Sequence, residues 1–452
     1  MGLDVVMFRA DKGGNPELIK LSQQRRFKPV EAVDAVIEID KKVKDAQYRL
    51  DQTNGDYAKV NKELAMKKKS GETGAAVDEL VAKATAIDQT VKALKQETAD
   101  LEEERKKLIK PIGNIVHESV PVSDNEDNNT VHSTWGEPKQ SPDLLHHHEL
   151  LDMIDGYDVP RGTEVSGHRC YFLKGVGVEL NMAIINYALT FLKKRGFTHL
   201  QTPFFMRKEV MAKTAQLEQF DEELYKVVGG AQGEESEKYL IATSEQPISS
   251  YHQGEWLEEK DLPKMYSGYS TCFRKEAGAH GRDTWGIFRV HQFEKIEQFC
   301  ITKPEDSWDM HEKMLANAEA FYQELGLPYR VINIVSGALN NAAAKKYDLE
   351  GWFPGYNQYR ELVSCSNCTD YQSRDLEIRC GMKKQGQQQK KYVHMLNSTL
   401  AATTRVICCI LENYQTEGGI NVPKPLQPFM GGTEFIPFVK PKPGKPKDAP
   451  KN

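Results

Sequence analysis

The chain has 452 residues, 39% of them apolar, with 60 Lys and Arg against 65 Asp and Glu and a formal charge of −5. This length and apolar content predict two or three domains with a sizeable core. The mildly acidic balance excludes attraction to nucleic acid by the whole surface, so any RNA contact must come from local basic patches.

No apolar run approaches the roughly 18 residues that a membrane span requires. The opening MGLD is unlike a secretory signal and lacks the Ser or Thr that N-myristoylation favours at the sixth position. Eight cysteines, two of them adjacent at 408 and 409, read as reduced thiols of the cytosol. In the first thirty residues, Leu3, Val5, Val6 and Phe8 precede a short helix opening at Asn15 and Pro16. From Val30 the period changes. Val36, Val43, Leu50, Tyr57 and Leu64 recur every seventh residue, and Ile39, Ala46, Thr53 and Val60 sit three positions after the first four. Leu80, Ile87, Leu94, Leu101 and Leu108 form a second seven-residue repeat, with Ala84, Val91, Thr98 and Arg105 four positions on.

Between the two repeats lies KKKSGETG at 67–74, a polar turn short enough to fold the helices back antiparallel. Each helix would be about 50 to 60 Å long at about 1.5 Å per residue. The seam fits either a dimerising coiled coil or a self-satisfied hairpin whose outer faces are free. Lys59, Lys62, Lys67, Lys68 and Lys69 on one arm, and Lys92, Lys95, Arg105, Lys106 and Lys107 on the other, either track a phosphate backbone or are solvated faces balanced by Glu102, Glu103 and Glu104.

Lys110 and Pro111 end the rod, and residues 122–129, with SDNEDNN at their heart, read as an acidic linker. His146, His147 and His148 are expected at the surface rather than on a metal, ahead of an amphipathic segment at 150–157. Residues 178–195 predict a helix with Leu180, Ile184, Ile185, Ala188, Leu189 and Leu192 on one apolar face, then Gly196 and a strand at 197–202 stopped by Pro203. Residues 221–238 read as an exposed insertion. A buried strand from Tyr239 delivers Thr243, Ser244 and Glu245 at its end, as either a helix cap or ligands for a small polar molecule.

FRKE at 273–276 and RVHQFEK at 289–295 flank a loop bearing Ala277, Gly278, His280, Gly281 and Gly286, which predicts two antiparallel strands with a long connection. Such charge density is either a solvated edge hairpin or a pocket floor that clamps a phosphate with Arg and an ammonium with Glu. A helix at 305–325 and a strand at 329–335 follow. Asp348 and Glu350 lead to a charged run at 359–364, then a strand at 391–396 enters Asn397, Ser398 and Thr399. The apolar helix at 400–414 carries a lone Arg405, either snorkelling to solvent or aimed at an anion.

Many hairpin-spaced strands with helices between them predict an α+β fold, an antiparallel sheet backed by helices. Neither GxxxxGK[ST] nor GxGxxG occurs, so phosphate must be held by side chains. Cys365 and Cys368 have metal-like spacing, but the later Cys380 and His394 are single and irregularly placed, and zinc is not expected.

Four stretches together resemble one family closely: TSE at 243–245, FRKEAGAHGRDTWGIFRVHQFEKIE at 273–297, RELVSCSNCTDYQSR at 360–374 and HMLNSTLAATTR at 394–405. They are similar to seryl-tRNA synthetases of the eukaryotic cytosolic type, class II aminoacyl-tRNA synthetases, over residues 3–428. The resemblance implies an N-terminal antiparallel two-helix coiled coil for tRNA over 1–115, a connecting segment over 116–170, a class II catalytic domain over 171–430 and a basic Pro/Lys-rich tail over 431–452. It further implies a cytoplasmic homodimer joined through motif 1 at 178–203. Its activity would be to activate L-serine with ATP and Mg2+ to seryl-adenylate, then transfer it to the 3′-terminal adenosine of tRNA-Ser, and of tRNA-Sec where that exists.

Residue by residue, Arg274 looks like the motif 2 arginine on the α-phosphate and carboxylate, Glu276 the contact to the adenine amino group, Phe293 the ring stacked on adenine and Arg405 the motif 3 arginine on the far phosphates. The ATP site implied comprises Arg274, Lys275, Glu276, Arg289, Val290, His291, Gln292, Phe293, Glu361, Leu362, Val363, Ser364 and Arg405, with Glu361 and Ser364 toward the metal of ATP. The serine site maps onto Thr243, Glu245, Arg274, Glu297, Asn397 and Thr399. In the family the hairpin grips the long variable arm of tRNA-Ser, which assigns Lys59, Lys62, Lys67, Lys68, Lys69, Lys92 and Lys95 to RNA. One departure is AATT at 401–404, where class II motif 3 generally carries glycines.

Overall fold

A computed structural model describes residues 2–214, 220–229, 237–276, 281–381 and 391–442. Ala277, Gly278 and His280 of the hairpin loop, Gly230 of the expected insertion and the basic tail from Pro443 lie outside them. The chain divides into two units, Gly2–Ile115 and Val116–Asn452.

In the first unit, helix α1 (Pro16–Arg25) is capped by Asn15, whose side chain accepts from the Leu18 N–H at 3.1 Å. Helices α2 (Glu31–Lys69) and α3 (Ala75–Ile109) pack along each other over most of their length. Val36, Ile39, Val43, Ala46, Leu50 and Val60 from α2 are buried, as are Ala84, Val91, Leu94 and Thr98 from α3, so the heptad seam is satisfied within one chain. Gly71 and Gly74 turn the chain between the helices at φ 78° and 101°, where a side chain would be strained.

Charge locks the far end of this hairpin. Asp40, 4% exposed, receives Arg9 and Arg105, each at 2.7 Å, and Lys44 at 3.3 Å. Burial opposes its charge, but the two arginines outweigh it and bring the carboxyl down to about 2. Arg105 therefore belongs to the seam and not to an RNA-facing row, because its guanidinium is committed to a buried carboxylate.

The second unit is built on a mainly antiparallel eight-stranded sheet. Its strands are β1 (Thr130–Trp135), β2 (Thr198–Gln201), β3 (Lys264–Phe273), β4 (Gln292–Thr302), β5 (Tyr329–Asn333), β6 (Lys345–Phe353), β7 (Gln358–Asn367) and β8 (His394–Ala402). Their order is β1, β5, β6, β7, β8, β4, β3, β2, and only the β2–β3 pair is parallel.

One face of the sheet carries the helices. After α4 (His147–Met153) come α5 (Val176–Lys193), α7 (Ser307–Glu324) and α8 (Thr403–Tyr414), while the short α6 (Glu245–Ser249) lies on the other face, where its Ile248 packs with Tyr266, Phe299 and Ile301. Leu180, Ile184 and Phe191 of α5, Met314 and Phe321 of α7, and Val406 and Ile410 of α8 bury against Ile296, Cys300, Val363, Leu396 and Leu400 of the sheet. The opposite face, left open at its centre, holds the polar residues.

Four regions differ from expectation. Within 116–170, β1 completes the sheet and α4 enters the core; edge strands need no apolar alternation, so the polar sequence hid one. Lys226–Val227 and Phe205–Arg207 each pair with Lys238–Leu240 between them in a three-stranded sheet over Met206, Met211, Leu224, Tyr239 and Ile241, so the expected insertion adds an edge strand and Leu224 to a small core. In the tail, Phe435–Pro437 pairs with Gly419–Asn421. The helix expected from Leu400 starts at Thr403, because residues up to Ala402 continue β8.

Candidate active site

The hairpin at 273–297 has longer strands than its charged segments suggest, with β3 and β4 paired from Phe273 opposite Gln292 to Lys264 opposite Ile301. At the neck of its loop, the Arg274 N–H donates to the His291 carbonyl at 2.9 Å, and the His291 ring meets the Arg274 carbonyl at 2.9 Å. These bonds hold Arg274 beside the sheet, where its guanidinium donates to the Ala242 carbonyl at 3.3 Å and lies 5.4 Å from the Phe293 ring centroid.

Two bulges turn the central strands so that their polar residues converge. Asp348 of β6 faces Ser364 of β7, while Glu350 faces Glu361; the additional residue in β7 puts Glu361 and Ser364, three apart, on the same face. Likewise Lys295 faces Ala402 and Glu297 faces Thr399, so one additional residue in β8 brings Thr399 and Ala402 to the open face with Lys295 and Glu297.

The resulting cleft, about 450 Å³ including its mouth, is lined by Arg274, Glu276, Arg289, Val290, Phe293, Glu361, Leu362, Thr399 and Arg405, all predicted, and by Phe288, Lys295, Ala402 and Thr404, which were not. Arg405 lies over the Phe288 ring at 5.0 Å and bonds the Glu361 carbonyl at 3.0 Å, with the carboxylate at 3.4 Å. Its side chain is 15% exposed, so it is no snorkelling surface group. Arg360 lies over the same ring at 4.9 Å. Glu276, at φ 47°, turns its carboxylate to Arg289 at 3.3 Å, and its carbonyl accepts from Arg169 at 2.8 Å.

Burial works against the charge of Glu361, but Arg405, then Lys346 and Arg274, hold its carboxyl below the usual range, and 48% of that side chain stays open to solvent. Burial and the neighbouring Glu361 charge push Asp348, bonded by Ser364, up to about 7.

Beside this arginine-rich region is a carboxylate pair. Glu245, at the start of α6, accepts from Asn397 at 3.0 Å and Gln372 at 3.1 Å, and Thr243 Oγ1 accepts from its backbone N–H at 3.2 Å. Glu297 pairs with Lys295 at 2.6 Å, both nearly buried. Burial, then the charge on Glu297, raises the Glu245 carboxyl to about 7. Gly268, opposite Glu297, lets α6 approach: a Cβ there would come within 2.5 Å of Ile248 and 2.6 Å of Ser244.

Other predicted side chains are not brought to the cleft. Val363 is in the core under the helices, and Gln292 is exposed, its carbonyl accepting from Tyr171. The Lys275 N–H donates to the Glu223 carbonyl. Ser364 bonds Asp348, and His291 serves the loop neck. The surface placement of the histidines is corrected at His147, which is fully buried against Glu412 because α4 begins there and turns it inward. Among the described residues no group of three or more His, Cys, Asp or Glu is arranged to hold a metal ion. On the first unit, Lys62, Lys68, Lys69 and Lys95 are exposed, while Lys59 pairs with Asp56, Lys92 with Asp88 and Lys67 with Glu72.

Residues 3–116 match the family described as the seryl-tRNA synthetase N-terminal domain, and residues 225–414 the tRNA synthetase class II core domain (G, H, P, S and T). A cytoplasmic serine--tRNA ligase of Dictyostelium discoideum is 73% identical over 451 residues, covering 100% of this chain and 98% of that one. The chain belongs to the seryl-tRNA synthetases. A cytoplasmic serine-tRNA ligase from Naegleria fowleri, solved in complex with AMP, superposes with a TM-score of 0.86 at 51% identity over 97% of this chain and 100% of that chain. The seryl-tRNA synthetase of Pyrococcus horikoshii, complexed with ATP, gives 0.87 at 38% identity, with the same coverage of both chains. In this family member the cleft lining carries Arg274, Arg289 and Arg405, cations of the kind that bind phosphates, and the Glu245 and Glu297 carboxylates lie beside it.

Proposed function

We propose that this cleft activates L-serine with ATP and passes the seryl group to the 3′-terminal adenosine of tRNA-Ser in the cytoplasm, the compartment named for its relatives. The observation that carries the reading is that Arg274, Arg405, Thr399 and Lys295 line one cleft, while Lys295 pairs with Glu297, which with Glu245 and Asn397 forms a cluster beside it.

Arg274 holds the serine carboxylate and the α-phosphate together, Phe293 stacks on adenine and Glu276 accepts from the adenine amino group. Arg405 holds the far phosphates. Glu245 and Glu297 share the ammonium and hydroxyl of serine, assisted by Thr243, Asn397 and Thr399. The serine carboxylate attacks the α-phosphorus, the bond to the bridging oxygen breaks and pyrophosphate leaves; a ribose hydroxyl of tRNA then displaces AMP from the activated carbonyl. No side chain acts as nucleophile, so rate comes from positioning and from cations fixed where negative charge builds.

Behind Glu361 on the same strand face, Ser364 is bonded to Asp348; Glu361 itself, open to the cleft, is a hard oxygen ligand of the kind Mg2+ takes alongside nucleotide phosphates and would hold the magnesium of ATP. Bound there, it supplies charge neutralisation at the phosphates. The helical hairpin takes the long variable arm of tRNA-Ser through Lys59, Lys62, Lys67, Lys68, Lys69, Lys92 and Lys95. Exposed apolar side chains of α5, Val178 at 43% and Met182 at 45%, support a homodimer contact through this helix.

The test is ATP–pyrophosphate exchange driven by serine, threonine or alanine. Serine supports exchange and alanine is rejected by about 10⁴-fold in kcat/KM, because a site built to bond a hydroxyl is left with unpaired polar groups by a substrate lacking one. Equal rates with serine and alanine would contradict the assignment.

A further inference from the structure

His147 and Glu412 lie fully buried beneath the hairpin loop, and no step of the mechanism uses them. Glu412 Oε1 accepts from the His147 backbone N–H at 3.0 Å and faces ring Nδ1 at 3.1 Å, while Oε2 accepts from the Gly355 N–H at 2.8 Å. The second ring nitrogen, Nε2, reaches the Trp285 carbonyl at 3.2 Å. A carbonyl only accepts and so does an ionised carboxylate, so both ring nitrogens donate and the ring is an imidazolium, compensated where it is buried by Glu412. Burial opposes that charge, but Cys408 and Glu412 outweigh it and hold the ring near a pKa of about 10.

The loop is seated closely on this pair. Gly286, at φ 60°, would place a Cβ 2.7 Å from His147 Nε2 and 2.9 Å from His148 Cβ. Two residues on, Phe288 packs against Phe353 at 5.4 Å and His147 at 6.3 Å, and its ring carries both Arg360 and Arg405.

We propose that His147, ionised and held by Glu412, is a positioning residue that pins the loop at Trp285 and so fixes the Phe288 platform for the arginines of the nucleotide end. This rests on the reading of the cleft as the ATP site. Neither His147 nor Glu412 lines the cleft, so the loss of the pair should shift the nucleotide end through the loop and spare the Glu245 and Glu297 cluster.

The experiment measures KM for ATP and for serine in pyrophosphate exchange by the full chain, for wild type, His147→Phe, Gly286→Ala and Arg405→Ala. Trp285 emission, taken as the difference from a Trp285→Phe background, reports the loop directly. His147→Phe and Gly286→Ala should each raise KM for ATP about tenfold, leave KM for serine within twofold and shift Trp285 emission. An unchanged KM for ATP, or equal rises in both KM values, would overturn the proposal. If His147→Phe does not fold, the His147→Gln/Glu412→Gln pair, which removes both charges and keeps neutral donors and acceptors, is read by the same criteria. Arg405→Ala separates the two ideas: an unchanged KM for ATP in that variant refutes the ATP site itself, whereas a rise there with no effect at His147 refutes only the positioning role.

Discussion

Glu245 shows how the site is tuned by its neighbours. It enters the cluster because Gly268 lets α6 lie against β3, and Glu297 and burial then keep its proton on up to about pH 7, against an ordinary 4.5. The folded state therefore holds this proton longer than the unfolded chain, so the group's contribution to stability declines as pH rises from about 4.5 to about 7 and is flat above that. Pairing with an ammonium requires the ionised form, and a hydroxyl bonds that form more strongly, so kcat/KM for serine in the exchange reaction should rise with pH to a plateau above about 7. Glu245→Gln should lose that limb along with most activity; the same limb in the variant would assign the titration elsewhere. At this scale the sequence displayed the cluster by chemistry, since Thr243 and Glu245 are polar groups that follow an apolar strand, whereas Asn397, expected just past a strand, lies inside β8. It did not display Gly268, whose role is the absence of a side chain against Ser244 and Ile248, nor Lys295, an alternating charge whose partner Glu297 becomes evident only when both point inward.

Among the elements, the coiled hairpin was the most legible, because a seven-residue period is local and Leu50, Val91 and Leu94 report the seam without knowledge of any other part of the chain. The strand bulges were not: nothing near Leu362 or Leu400 marks the additional residue that brings Glu361 to Ser364 and Thr399 to Ala402. Nor was β1, which pairs with β5 across about two hundred residues of chain and shows solvent on most positions. The arm itself carries a separate prediction. Removing residues 59–95 deletes the turn and the proposed RNA-facing lysines while leaving the second unit intact. Serylation of tRNA should fall by at least about 10³-fold, the scale of affinity that several phosphate contacts supply. Serine-dependent pyrophosphate exchange should stay within about threefold of the full chain, and its loss together with serylation would contradict a division of labour between the units.

For the molecule as a whole, the two units present complementary chemistry: one a self-satisfied helical hairpin with exposed lysines, the other a sheet whose open face gathers cations and carboxylates. Arg274, held by the loop neck and set over Phe293, is the residue on which the proposed reaction places the demands of both ATP and serine. The most direct measurement is serine-dependent ATP–pyrophosphate exchange by Arg274→Ala, with thermal melting and sedimentation run in parallel to establish fold and assembly. The account predicts a fall of at least about 10³-fold in exchange, of the size expected when a donor fixed at developing phosphate charge is removed, with melting and sedimentation unchanged. Near-normal exchange by a folded Arg274→Ala protein would contradict it.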